Sequence, residues 1–162
     1  MNTVRRSPAT VYARILVPVD GSAPAESGLR EAMAWARQVR AELVLLRIVD
    51  DHPVSMDRAP ARYVEEAREA AKRDAEVLVA RCVGLAHDGG VRARGIVRDG
   101  LGERVSDLIL AEAKAQDCQL IAMGTHGRRG LDRIALGSEA ESVARRATVP
   151  VLLVRDARAA TG

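Results

Sequence analysis

Ala122-Met123-Gly124-Thr125-His126-Gly127-Arg128-Arg129-Gly130, continued at Leu136-Gly137-Ser138, reads as an apolar strand, a Gly- and Arg-rich loop, and a helix start. A strand that ends in glycines and leads to a helix N-terminus is suited to anions. The first amides of the helix lack intrahelical partners, and its dipole favours negative charge. Two residues separate Gly124 from Gly127 and nine separate Gly127 from Gly137, with the hydroxyl of Ser138 next. The stretch is therefore expected to cradle phosphate. Glycine admits positive φ and close approach of backbone to a ligand, where alanine would put a methyl group in the space of the phosphate oxygens.

Working outward, Arg14 to Asp20 is a β-branched run that stops at the turn Asp20-Gly21-Ser22. Ser22 can cap a helix running to about Arg40, with Pro24 tolerated in its first turn. Leu43 to Val49 is a second, nearly continuous apolar strand, as in parallel sheets covered on both faces. A polar connection, 51–60, leads into an amphipathic helix over about 61–87. Val91 to Val97 is a third strand whose alternating Arg92 and Arg94 suggest an exposed face or a sheet edge. A helix over 102–115, a strand over 120–123, a helix over 138–147 and a strand over 149–154 complete the pattern.

Strand–helix repeats with right-handed crossovers give one open, five-stranded parallel sheet with helices on both faces. Orders 2-1-3-4-5 and 3-2-1-4-5 are both common. The second makes strands 1 and 4 neighbours where the winding reverses, the crevice at which such sheets bind ligands. The sharpest turn chemistry lies at the ends of those two strands, so 3-2-1-4-5 is the expected order. Residues 13–156 are read as one domain, with 1–12 and 157–162 as tails.

The 162 residues are 48% hydrophobic and 29% charged, which are globular values. Aromatics make up only 2%, so base stacking is scarcely available and a single-stranded nucleic-acid binder is disfavoured. Of the 25 basic residues only Lys72 and Lys114 are lysines. Most arginines are interleaved with acids on helix faces, but Arg128, Arg129 and Arg133 stand in the glycine loop, where a guanidinium suits phosphate. Cys82 and Cys118 belong to no C-x-x-C or metal spacing and are expected as buried, reduced thiols. With no apolar leader and no membrane-length apolar run, the expected location is cytoplasmic and no membrane partner is expected.

Individual residues carry competing readings. Ser138-Glu139-Ala140-Glu141 is a capping box, which can stabilise a helix start without any ligand. Asp20 can brace the following helix, or bind a ribose hydroxyl or a divalent ion bridging phosphates. His126 has no second ligand at metal spacing. No G-x-x-x-x-G-K-[ST] occurs, and Gly100-x-Gly102 lacks the third glycine of a dinucleotide fingerprint. No catalytic set can be paired from spacing, so no catalytic residue is assigned.

Ile15 to Ser22, Met123 to Arg128, Leu136-Gly137-Ser138 and Val149 to Val154 together resemble the universal stress protein family over about residues 12–156. The G-2x-G-9x-G-[ST] spacing resembles its ATP-binding branch. The resemblance implies a Rossmann-like fold of the adenine nucleotide alpha hydrolase type, with ATP and Mg2+ in the crevice between strands 1 and 4. It would place Pro18 and Asp20 at the adenosine, beside Gly21 and Ser22, and the backbone of Ile48 at the adenine. Met123, Gly124, Gly127 and Arg128 would line ribose and phosphates. Gly137, Ser138, Glu139 and Ala140 would take the phosphate tail, with Asp20 able to meet Mg2+. It also implies a homodimer through residues 149–155 and a stress-response role with at most slow ATP hydrolysis. A nucleotide-dependent enzyme and a nucleotide-free interaction module are the alternatives. Glu139 departs from the pattern, because nucleotide-binding relatives often carry an apolar residue there. A carboxylate beside phosphates repels them unless it turns away or holds a cation.

Overall fold

Strands apolar on both faces can be buried only if helices cover both sides of their sheet. The computed structural model describes residues 12–49, 61–100, 102–125 and 136–155. Its elements run β1 (Arg14–Pro18), α1 (Ala23–Val39), β2 (Glu42–Val49), α2 (Ala61–Asp88), β3 (Ala93–Asp99), α3 (Val105–Ala115), β4 (Leu120–Gly124), α4 (Ser138–Arg146) and β5 (Val151–Val154). The strands form one parallel sheet in the order β3-β2-β1-β4-β5, as the turn chemistry required. Register sets Leu16 opposite both Val44 of β2 and Ile121 of β4.

Period-two alternation divides the core between the faces. Ile15, Val17, Leu43, Leu45 and Ala122 pack with Leu29, Ala32 and Ala36 of α1 and Val79, Cys82 and Ala86 of α2. Leu16, Val44, Leu46, Ile48, Ile121 and Met123 pack with Ile109 of α3 and Ala140 and Val143 of α4. Cys82 and Cys118 are both buried, as expected. No described helix is long and apolar enough to cross a membrane.

Ser22 caps α1, accepting from the Ala25 amide at 3.3 Å. The helix ends at Arg40 in the left-handed region (φ 58°), whose amide donates to the Ala36 carbonyl. β1 ends at Pro18, short of Asp20, and three element starts differ from expectation by two or more residues, each for a local reason. The Val91 amide donates to Ala86 at the end of α2, so β3 starts two residues late, at Ala93. A turn between the Glu103 amide and the Gly100 carbonyl delays α3 to Val105. Pro150 has no N–H to offer, and β5 begins after it.

β3 is a sheet edge, as its alternating arginines suggested. Arg94 bonds Gln116 at 2.7 Å and approaches Glu42 at 3.6 Å, while Arg98 Nε donates to Glu112 at 2.7 Å. These side chains fasten α3 to the edge and leave it charged, which discourages pairing with another strand.

Candidate functional site

Because β1 and β4 are neighbours, their C-terminal ends lie side by side at the reversal of winding, the position at which open α/β sheets bind ligands. The turn after β1 is braced by its own first residue, with Asp20 Oδ1 accepting from the Ser22 amide at 2.9 Å. Gly21 sits at φ 79°, a conformation glycine adopts at little cost. The first turn of α1 then presses on the end of β4. A Cβ on Gly124 would lie 2.4 Å from the Pro24 carbonyl oxygen, and one on Gly28 would lie 2.9 Å from the Gly124 nitrogen.

Thr125 ties the second half together. Its amide donates to the Val154 carbonyl and its carbonyl accepts from the Gly137 amide, each at 2.9 Å. The start of α4 is thus pinned beside the end of β4, although eleven residues separate Thr125 from Gly137. Gly137 is the N-cap of α4, and among the described residues no side chain bonds there as a cap. The leading amides of α4 therefore face the strand ends without a capping side chain, the condition under which a helix start accepts an anion.

The profile of the Universal stress protein family matches residues 12–155. The chain belongs to the universal stress protein family. Universal stress protein MJ0531 of Methanocaldococcus jannaschii is 30% identical over 155 residues, covering 96% of this chain and 89% of that protein. The solved structure of the hypothetical protein MJ0577 superposes with a TM-score of 0.77 at 26% identity, over 90% of this chain and 96% of the other. At 23% identity and a TM-score of 0.59, the fold is shared with a universal stress protein from Archaeoglobus fulgidus in complex with dAMP, over 89% and 98% of the two chains. At 20% and 0.60 it is shared with a universal stress protein in complex with cAMP, over 90% and 98%.

In this universal stress protein Ile48, Met123 and Ala140 fall on one face of the sheet. Ile48 and Met123, 5% and 7% exposed, belong to the cluster under α3 and α4, as does Ala140. Pro18 is half-buried at the end of β1, two positions on from Leu16 of that same cluster. Ser138 is exposed in the first turn of α4, and Glu139 is half-buried. Gly127 and Arg128 lie outside the described residues, as do His126, Arg129 and Arg133.

Two readings of the sequence need correction. The capping box at Ser138 does not form. The Gly137 amide is taken by Thr125, and the Gly137 carbonyl accepts from the Glu141 amide at 2.9 Å. Gly137 therefore takes the N-cap position in place of Ser138, which lies inside the first turn of the helix. The reason offered for glycine also changes at two positions. Gly137 has φ −61°, which any residue can adopt. At Gly124 the space a methyl group would take belongs to Pro24, so packing requires glycine there whatever ligand is bound.

Glu139 reaches from the first turn of α4 to the start of α3. Its Oε2 accepts from the Ser106 amide of α3 at 2.7 Å. Sequence gave no signal of this bond, since its partners are 33 positions apart. Glu112 was missed as well: it is 4% exposed and accepts from both Arg98 and Gln116. Burial pushes its carboxyl up, but those hydrogen bonds and the charges of Arg98 and Arg94 outweigh burial and hold it below the usual range. Only the placement of an acid among the apolar residues of α3 hinted at a buried partner.

Among the described residues no three metal-ligating side chains cluster. An open cleft of about 510 Å³ lies at the opposite end of the sheet, lined by Cys118, Ile121 and Val149. None of the candidate site residues lines it.

Proposed function

We propose that this universal stress protein binds ATP, with Mg2+, at the crevice between β1 and β4, and that occupancy serves a regulatory, stress-response role in the cytoplasm. The observation that carries this reading is the start of α4, held against the end of β4 by Thr125 and lacking a capping side chain. Nucleotide complexes of two proteins of the same fold support it. In this reading the amides of Ser138, Glu139 and Ala140 donate to phosphate oxygens. Gly127 and Arg128 contribute from the loop, and a guanidinium meets phosphate charge well. Asp20, oriented by the Ser22 amide, accepts from a ribose hydroxyl, since a carboxylate has room for several hydrogen bonds. Pro18, Ile48 and Met123 wall the adenosine end. Mg2+ would arrive with the phosphates and offset their charge, with Asp20 within its reach.

The protein acts as a homodimer through residues 149–155, and hydrolysis is at most slow. The purified chain is tested by acid extraction followed by nucleotide chromatography, and by calorimetric titration with ATP. Co-purified ATP or saturable binding is expected, and Gly127→Ala is expected to weaken it. No extracted nucleotide together with no heat of binding removes the reading and leaves a nucleotide-free interaction module. Rapid release of ADP in a turnover assay would favour a dedicated enzyme instead.

A further inference from the structure

Helix α3 begins without a capping side chain of its own. Its N-cap, Arg104, makes no such bond, and Ser106 in the first turn is 1% exposed. The acceptor comes from the neighbouring helix, where Glu139 Oε2 meets the Ser106 amide at 2.7 Å. This is a charge-assisted hydrogen bond at the positive end of a helix dipole, which holds a carboxylate firmly in place. The neighbouring acids are neutralised differently. Glu141 pairs with Arg145 at 2.8 Å, and Asp107 pairs with Arg146. Among the described residues Glu139 has no such cation, so a residue of the first turn of α4 carries a carboxylate held by the start of α3 alone.

We propose that Glu139 is a specificity-determining residue that selects nucleotides by the net charge of their phosphates. Held by the Ser106 amide, the carboxylate must give up that hydrogen bond to swing into solvent and relieve repulsion. It disfavours free ATP and favours ATP whose charge has been reduced by Mg2+. This inference rests on nucleotide binding at the start of α4. Unit charges about one helical turn apart in water-like surroundings interact by somewhat more than RT, so each unit of net charge costs roughly threefold in affinity. Free ATP and its magnesium complex differ by about two charges, so Glu139 should separate them by about tenfold.

The test is calorimetric titration of the full chain with ATP in chelator, ATP with Mg2+, and AMP, repeated on Glu139→Gln and Glu139→Ala. Glutamine keeps an oxygen for the Ser106 amide and removes the charge. The preference for magnesium-bound over free ATP is expected to fall about tenfold in Glu139→Gln, with AMP affinity moving less than that of free ATP. Amide hydrogen exchange on the unliganded chain checks the tether separately. Protection at Ser106 should persist in Glu139→Gln and drop in Glu139→Ala. Binding with an unchanged magnesium preference in Glu139→Gln overturns this proposal and leaves ATP binding standing, as does unchanged Ser106 protection in Glu139→Ala. Absence of binding by every nucleotide to every chain overturns the ATP reading and this inference with it.

Discussion

Replacing Gly124 by alanine should destabilise the protein in the complete absence of nucleotide. The new Cβ would stand 2.4 Å from the Pro24 carbonyl oxygen, 2.5 Å from the Pro24 carbonyl carbon and 3.0 Å from the Pro24 Cβ. Ordinary contact begins near 3.4 Å. The first turn of α1 or the end of β4 must therefore move by about 1 Å, and both are backbone in a packed core. Overpacking of this kind typically costs about 1–3 kcal/mol. Against it, alanine removes about 0.4–1 kcal/mol of unfolded-state entropy. The net loss is about 1–2 kcal/mol, or roughly 2–8 °C in Tm for a chain of this size. Thermal unfolding followed by circular dichroism without ligand measures it. Gly84→Ala is the control: Gly84 is exposed within α2 and a Cβ there meets nothing within 4 Å. That variant should gain about 0.5–1 kcal/mol from helix propensity. Gly28→Ala and Gly124→Ala should combine non-additively, since both strain the same α1–β4 contact. A ligand-free Tm for Gly124→Ala equal to or above the parent's would refute the packing argument and return that glycine to the phosphates alone.

Glu112→Gln should cost about 1–2 kcal/mol at pH 7, the low end for hydrogen bonds to charged groups because Arg98 is half exposed. The Glu112 carboxyl is held below the ordinary value of a glutamate, so on acidification the unfolded chain takes up that proton before the folded one. The stabilisation is complete above that value and is lost as pH falls through the lower folded one. Urea midpoints of parent and variant should converge between pH 7 and pH 3, and a constant gap would contradict the assignment. Burial, partly offset by Arg94 and Arg14, pushes the Cys118 thiol up to about 11. Its thiolate fraction at pH 8 is about one in a thousand, so disulfide reagents should label it slowly until urea is added. Labelling of native Cys118 within minutes, mapped by mass spectrometry, would count against that burial. At the proposed dimer edge, the carbonyls of Pro150 and Val154 bond β4, so by alternation the Leu153 amide points away from the sheet. Leu153→Pro should halve the mass measured by sedimentation while keeping helical circular dichroism, and an unchanged dimer would exclude that edge.

β1, β2, β4 and β5 were legible as runs of β-branched and aliphatic residues that need cover on both faces, and β3 by the alternating arginines of a sheet edge. Their order was legible only indirectly, from the demand that the Asp20-Gly21-Ser22 turn and the glycines after β4 meet. The start of α3 and the capping of α3 and α4 were not legible. A capping pattern such as Ser138-Glu139-Ala140-Glu141 assumes that local groups satisfy local amides. Here the Thr125 carbonyl takes the Gly137 amide, and Glu139 serves another helix. The reason for Gly124 was hidden in the same way, since Pro24 is a hundred positions distant. Sequence spacing identified the residues, whereas tertiary contacts assigned their partners.

Thr125 joins the border of the sheet to the mouth of the crevice through its own main chain. Val154 holds one side of that peptide pair and Gly137 the other, so a shift of β5 pulls on the entry to α4 through a linkage only three residues long. Any load applied to the outer strand, such as a second subunit docking along it, would be felt at the helix entrance without passing through the hydrophobic interior. Backbone atoms make both connections, so this coupling would survive wide drift in the side chain at position 125.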